Sequence, residues 1–212
     1  MVTRKQSVVI LFLLATLILG VGLPSQSQAV SPGEIEFETV EGESKATVRV
    51  REQLFLRFEP NDAVLTTSAV TGGFTLLADG NFKSDSKITV GLSTLKSDVG
   101  QRDNFVKRNT LETDKFPVAE FIPITTEGLS IPLPATGEWA FKVIGNLTIH
   151  GVEREVIWDL EVKRSGADLS ATAKTMLKFG DFGMEKPRAL VVLSVVDEIR
   201  LEIEFISTEK IQ

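Results

Sequence analysis

Phe141-Lys142-Val143-Ile144-Gly145-Asn146-Leu147-Thr148-Ile149-His150-Gly151-Val152-Glu153-Arg154-Glu155-Val156-Ile157-Trp158-Asp159-Leu160-Glu161-Val162-Lys163 decides the fold. Phe141, Val143, Leu147 and Ile149 share one parity, and Lys142, Asn146 and Thr148 take the other. Past the break at His150-Gly151, Val156, Trp158, Leu160 and Val162 face away from Asp159, Glu161 and Lys163. Successive side chains of a strand point to opposite faces, so each arm has one apolar and one wet face. Parallel strands are covered on both faces and read as unbroken apolar runs; this alternation therefore predicts an antiparallel pair. Only two residues, one of them glycine, separate the arms, which predicts a tight hairpin.

The same period recurs outward from the hairpin. Val48 and Val50 alternate with Arg49 and Arg51; Ile88, Val90 and Leu92 with Lys87, Thr89 and Gly91; Ile199, Leu201, Ile203 and Phe205 with Arg200, Glu202 and Glu204. Turn signals fall between them at Gly72-Gly73, Asp79-Gly80-Asn81, Gly128, Pro132 to Gly137 and Ser165-Gly166. Ser97 to Asn109 differs: Asp98 stands near its start, and Val99, Arg102, Phe105 and Val106 are spaced for one helical face, predicting two or three turns. No repeat, low-complexity tract or linker divides the chain. Many strands with one short helix predict an all-β barrel or sandwich.

The first residues read as a targeting segment. Arg4 and Lys5 precede an uncharged apolar run from Val8 to Leu23, Pro24 ends it, and Ser27 and Ala29 are the small residues a signal peptidase requires. Residues 1–29 are thus expected to be a signal peptide and 30–212 a single domain in the periplasm or outside the cell. Retention of the run as an N-terminal anchor is the alternative. No cysteine follows it, which excludes an acylated lipoprotein and leaves a core without disulfides. Without the leader the chain carries 21 basic and 29 acidic residues, net −8, a balance that argues against nucleic acid and anionic lipid surfaces as partners. Thirteen phenylalanines and no tyrosine make a greasy interior with few polar handles.

Catalytic constellations are missing from the sequence. His150 is the one histidine, and with no cysteine a metal centre would rest on carboxylates; Asp62, Asp79, Asn81 and Asp85 lack the spacing of a calcium loop. One histidine at a turn defines no triad, and the acidic residues mostly hold outward strand parity. Neither a phosphate loop nor a dinucleotide fingerprint follows a strand. No enzyme, metal or cofactor is expected.

Parity directs attention inward. Leu169, Ala171, Ala173, Thr175 and Leu177 share the core side of one strand, and Gly145 is at the inward centre of another. Small residues between large ones leave volume unless Trp139, Trp158 or a phenylalanine fills it. Two clusters stand apart: Arg102-Asp103 with Lys107 and Arg108, and the stretch Phe179, Asp181, Phe182, Met184, Lys186 and Arg188. One reading has Arg102 and Asp103 pinning the helix to the barrel end. The other has helix and loop as a lid, with Phe105, Phe116, Phe182 and Met184 facing an apolar ligand.

Ser97-Asp98-Val99-Gly100-Gln101-Arg102-Asp103-Asn104-Phe105, followed by Leu111, Phe116-Pro117 and Ala119-Glu120-Phe121, resembles the central signature of the YceI-like proteins. Gly145-Asn146-Leu147-Thr148-Ile149-His150-Gly151-Val152 is similar to that family's second motif, and Asp181-Phe182-Gly183-Met184 to its closing one. The resemblance implies a single antiparallel lipocalin-like β-barrel with one short helix near the barrel end, enclosing a long polyisoprenoid. The sequence departs from the commoner opening motif: Glu41-Gly42-Glu43-Ser44 keeps its serine and lacks its histidine.

The expectation is an extracytoplasmic lipid-binding protein that holds an isoprenoid or other long-chain lipid for transport or storage. Its cavity wall is expected from Phe105, Phe116, Phe121, Phe141, Val143, Gly145, Leu147, Ala171, Ala173, Phe179, Phe182 and Met184, with Arg102, Asp103, His150 and Gly151 structural. A secreted adhesion module and an enzyme using His150 or Asp181 on a bound lipid are the alternatives. A homodimer through edge strands and a transient membrane contact remain open, while no exposed apolar stripe is evident.

Overall fold

The computed structural model describes residues 33–210, so the leader read over residues 1–29 lies outside them. Ten strands follow in chain order: β1 (Ile35–Thr39), β2 (Lys45–Leu54), β3 (Asn61–Thr67), β4 (Val70–Leu76), β5 (Lys87–Gly91), β6 (Val118–Glu127), β7 (Thr136–Ile149), β8 (Val152–Ser165), β9 (Asp168–Leu177) and β10 (Val192–Glu209). Helix α1 (Gly100–Phe105), inside the stretch whose spacing predicts a helix, runs into a wider turn over Val106–Thr110. All pairings between strands are antiparallel.

The hairpin expected around His150-Gly151 is β7–β8, in register from Thr136↔Ser165 to Ile149↔Val152. His150 (φ 55°) and Gly151 (φ 73°) make the turn; two positive φ angles in succession match the right-handed twist of the flanking strands. Around the sheet the order is β1-β4-β5-β6-β7-β8-β9-β10, and β10 pairs back with β1 to close a barrel of eight strands. Closure leaves no unpaired edge around the ring.

β2 and β3 extend this ring. The 18-residue β10 pairs with β1 near its end, at Ser207–Glu209, and with β2 along Val192–Glu204, while β3 pairs with β2. β1 and β2 thus form two halves of one bent strand, as do β3 and β4. Ser44, fully buried, holds the first bend: its Oγ accepts from the Ile206 N–H at 2.9 Å and donates to the Ile206 carbonyl at 3.3 Å. The serine kept from the family's opening motif therefore fastens a strand.

The two barrel ends are built differently. At the base lie both ends of the described chain and a core of Phe37, Val70, Ile88, Val162, Leu169 and Phe205. At the other end β3 and β6 are bridged by the segment after β5, which meets β3 through Thr66 and Lys96 in two backbone hydrogen bonds of 2.8 and 2.9 Å. α1 follows in that segment and itself buries no residue.

Candidate functional site

Inside the barrel is a cavity of about 820 Å³, within the roughly 300–1,000 Å³ typical of small-molecule sites. It follows the strands: on β7 its wall runs from Phe141 through Val143 and Leu147 to Ile149, nine residues or ~26 Å at about 3.3 Å per residue. Ala171 and Ala173 on β9 and Leu160 and Val162 on β8 continue the wall. Toward the base it reaches Phe82, Leu129 and Leu133. At the opposite end it reaches Val99, Gln101 and Arg102 beside α1, and Arg188, Leu190 and Val191 before β10. Val99, Leu190 and Val191 both line the cavity and stand exposed, so this end is the mouth.

Of the twelve residues the sequence assigns to the wall, Phe105, Phe121, Phe141, Val143, Leu147, Ala171, Ala173, Phe179 and Met184 line it, and Phe116, Gly145 and Phe182 do not. Gly145 gives its space to something else. A Cβ there would come within 2.4 Å of the Ile122 carbonyl oxygen and 2.7 Å of Phe121 Cζ, so the glycine makes room for the Phe121 ring and the β6 backbone. Phe182 is 1% exposed and packs in the core with Leu147, Phe179 and Met184. Phe116 sits outside, its ring centroid 4.7 Å from that of His150. Trp158 lines the wall and meets Phe121 edge-on with centroids 5.9 Å apart; its indole N–H has no hydrogen-bond partner among the described residues. The small residues of β9 thus coincide with open volume and the glycine of β7 does not.

A polar cluster stands at the mouth. Glu52 continues the inward parity of Ala46, Val48 and Val50 on β2 and is buried. Its Oε1 accepts from Arg102 Nη2 at 3.0 Å and from Asn61 Nδ2 at 3.2 Å. Arg102 Nη1 donates to Asp98 Oδ1 at 2.7 Å. Asp103 Oδ1 accepts from the Ser97 backbone N–H at 2.9 Å and from the Ser97 hydroxyl at 2.6 Å. Arg102 therefore ties α1 to the barrel while Asp103 fixes the chain entering the helix. Sequence reasoning passed over Glu52, although its parity with Val48 and Val50 already marks an acid facing inward.

His150 and Asp181 both lie off the cavity wall. His150 Nε2 is 3.6 Å from Glu112 Oε2 at the β7–β8 turn. The Glu112 carboxyl is held below its ordinary value first by the Lys115 hydrogen bond and charge, then by His150. Gly151 is required by the same contact region, since a Cβ there would approach Phe116 Cε1 to 2.7 Å. No group of three or more His, Cys, Asp or Glu side chains placed to hold a metal occurs among the described residues.

The profile described as the YceI-like domain matches residues 34–206. This chain belongs to the YceI-like family. A UPF0312 protein of Pseudomonas putida (strain W619) is 33% identical over 126 residues, 52% of this chain and 62% of that protein. A UPF0312 protein of Pseudomonas fluorescens (strain SBW25) is 32% identical over 124 residues, 51% of this chain and 61% of that protein. The matches span less than two thirds of these curated relatives. Among solved structures, a polyisoprenoid binding domain from Saccharophagus degradans implicated in plant cell wall breakdown superposes with TM-score 0.64 at 12% identity, covering 82% of this chain and 98% of that one. BcnA of Burkholderia cenocepacia superposes with TM-score 0.60 at 17% identity, covering 80% and 99%. At these identities the likeness is one of fold: the lipocalin-like YceI barrel with its short helix.

Proposed function

We propose that this YceI-like protein is an extracytoplasmic carrier or store for a long apolar lipid, a polyisoprenoid or isoprenoid quinone, held lengthwise in the barrel. The observation that carries this reading is the cavity: about 820 Å³, drawn out along the strands, walled mainly by aliphatic and phenyl side chains and open at one end. An elongated apolar slot fits an extended hydrocarbon, and burial at about 25 cal/mol per Å² holds such a chain without specific polar contacts. The polyisoprenoid-binding domain with the same fold supports a prenyl chain as the occupant. Export follows from the apolar run and small residues of the leader. The position of His150 and Asp181 off the wall favours holding over turnover. Exchange of the lipid with a membrane then takes place at the mouth.

Protein purified from its native compartment, extracted and analysed by mass spectrometry, is expected to yield a stoichiometric prenyl lipid. Ala171→Phe and Ala173→Leu, each filling the slot from β9, are expected to fold and to lose that lipid. A barrel recovered empty, or variants that keep full lipid load, sink the reading and favour an adhesion scaffold.

A further inference from the structure

No exposed apolar stripe is expected from the sequence, yet the structure has one at the mouth. The turn between β2 and β3 presents Phe55, Leu56 and Phe58; Leu190, Val191 and Leu193 stand beside it, all six exposed. The two segments are joined: the Phe55 N–H donates to the Val191 carbonyl at 2.9 Å, and Leu54 pairs with Val192. Phe58 and Leu190 are as open to solvent as in an extended chain. Nothing in the described chain covers this tip, and both ends of that chain lie at the base. An apolar patch left open on a surface marks an interaction site.

Resting on the reading of the barrel as a lipid holder, we propose that this tip inserts into a lipid bilayer and joins the cavity mouth to it. Continuity is the first ground. Leu190 and Val191 belong at once to the exposed tip and to the cavity wall, so a lipid can pass from bilayer to slot along apolar surface throughout. Charge is the second. The connections at the mouth, residues 55–60, 92–117, 150–151 and 178–191, carry nine basic and seven acidic side chains, net +2, against −6 for the whole chain. An anionic bilayer therefore repels the body of the barrel and accepts its mouth, with Arg57, Lys186 and Arg188 flanking the apolar residues. Phenyl and aliphatic side chains between basic ones are the composition of interfacial insertion.

The chain has no cysteine, so Phe58→Cys gives a single site for an environment-sensitive fluorophore, and Ser130→Cys a control at the base. Both are made in leader-processed protein with an identical N-terminus and mixed with vesicles of equimolar phosphatidylcholine and phosphatidylglycerol. The expected result is a blue-shifted, brighter signal from position 58 alone. Phe55→Ser, Leu56→Ser and Phe58→Ser together should weaken vesicle flotation and slow prenyl-lipid transfer between vesicles by about tenfold or more. Affinity for a detergent-dispersed prenyl probe should stay unchanged. Equal signals at both labels, equal flotation of the triple variant, or a wild-type dimer that the triple variant dissolves would each overturn the proposal. Loss of probe binding in detergent would also overturn it, by making the tip part of the slot. A barrel that binds the probe yet ignores vesicles refutes the docking tip and leaves the lipid-holding reading intact.

Discussion

Two inward-facing apolar rows of the barrel each end in a charge, one at the base and one at the mouth, and the surroundings of those charges differ. On β8 the row Val156, Trp158, Leu160 and Val162 ends at Arg164, 6% exposed. Its guanidinium lies 5.3 Å from the centroid of Phe37, donates from Nε to the Gly166 carbonyl at 2.9 Å and pairs through Nη2 with Glu209. β1, β8, the β8–β9 turn and β10 are thereby locked together. On β2 the row Ala46, Val48 and Val50 ends at Glu52, whose cationic partner Arg102 is on a six-residue helix with no fully buried residue. At the base the charge is held between several strands, whereas the mouth, open to solvent beside Val99, Leu190 and Val191, is bordered by one short helix fastened through one guanidinium. Local opening is drawn from the least packed segments, so the mouth is expected to open before the base.

The largest effect is expected at the base. Arg164→Ala strands Glu209 and strips the packing over Phe37, and breaking a buried pair of this kind costs about 4 kcal/mol. Urea denaturation should show a lower midpoint with the slope unchanged. Gly145→Val comes next, at ~3 kcal/mol, because the new side chain meets the Ile122 carbonyl and the Phe121 ring. Its lipid load per folded molecule should stay normal; a stable Gly145→Val that loses lipid would show the glycine to be part of the slot. Arg102→Ala should cost about 2 kcal/mol globally, since Asn61 still donates to Glu52 and Asp98 is already wet. Hydrogen exchange over residues 97–110 should accelerate far more than the global change accounts for. Equal global costs for Arg102→Ala and Arg164→Ala would remove the contrast between the ends.

Strand parity made the antiparallel barrel legible, because a two-residue period with one wet face has few other solutions. The β7–β8 turn and the helix within Ser97–Asn109 were legible for local reasons: two residues to reverse direction, and one apolar face. Gly145 misled because a missing side chain reads as free space from sequence, whereas the occupant, Phe121, arrives from the neighbouring strand across β6–β7 register. Phe116 and Phe182 misled in the same way; an aromatic near a motif says nothing about which side of the wall it faces. The exposed tip escaped notice because Phe55-Leu56-Arg57-Phe58 reads as strand continuation until the chain turns there. Only the non-local pairing with Val191 and Val192 reveals that nothing covers it.

Titration offers the gentlest test of the same asymmetry, because acid and alkali act on opposite ends. Asp62, near the mouth, is pushed up by desolvation, but hydrogen bonds and charge from Arg200 and Arg51 outweigh this and hold its carboxyl below the ordinary value. The contribution to stability is present above the unfolded value, about pH 4, and is lost as pH falls through the lowered one. Lys210, at the base, is raised first by its hydrogen bonds to Glu38 and Glu36, with their charges adding to the effect. That contribution is whole below the unfolded value, about pH 10.4, and is lost as pH rises through the raised one. Both pairs are well solvated, so the melting temperature should move by only a few degrees. The informative readout is where exchange begins: limited proteolysis in acid should cut first around residues 55–62, and in alkali around 33–39. Cleavage at the same end under both conditions would mean that these ion pairs do not report the separate stability of mouth and base.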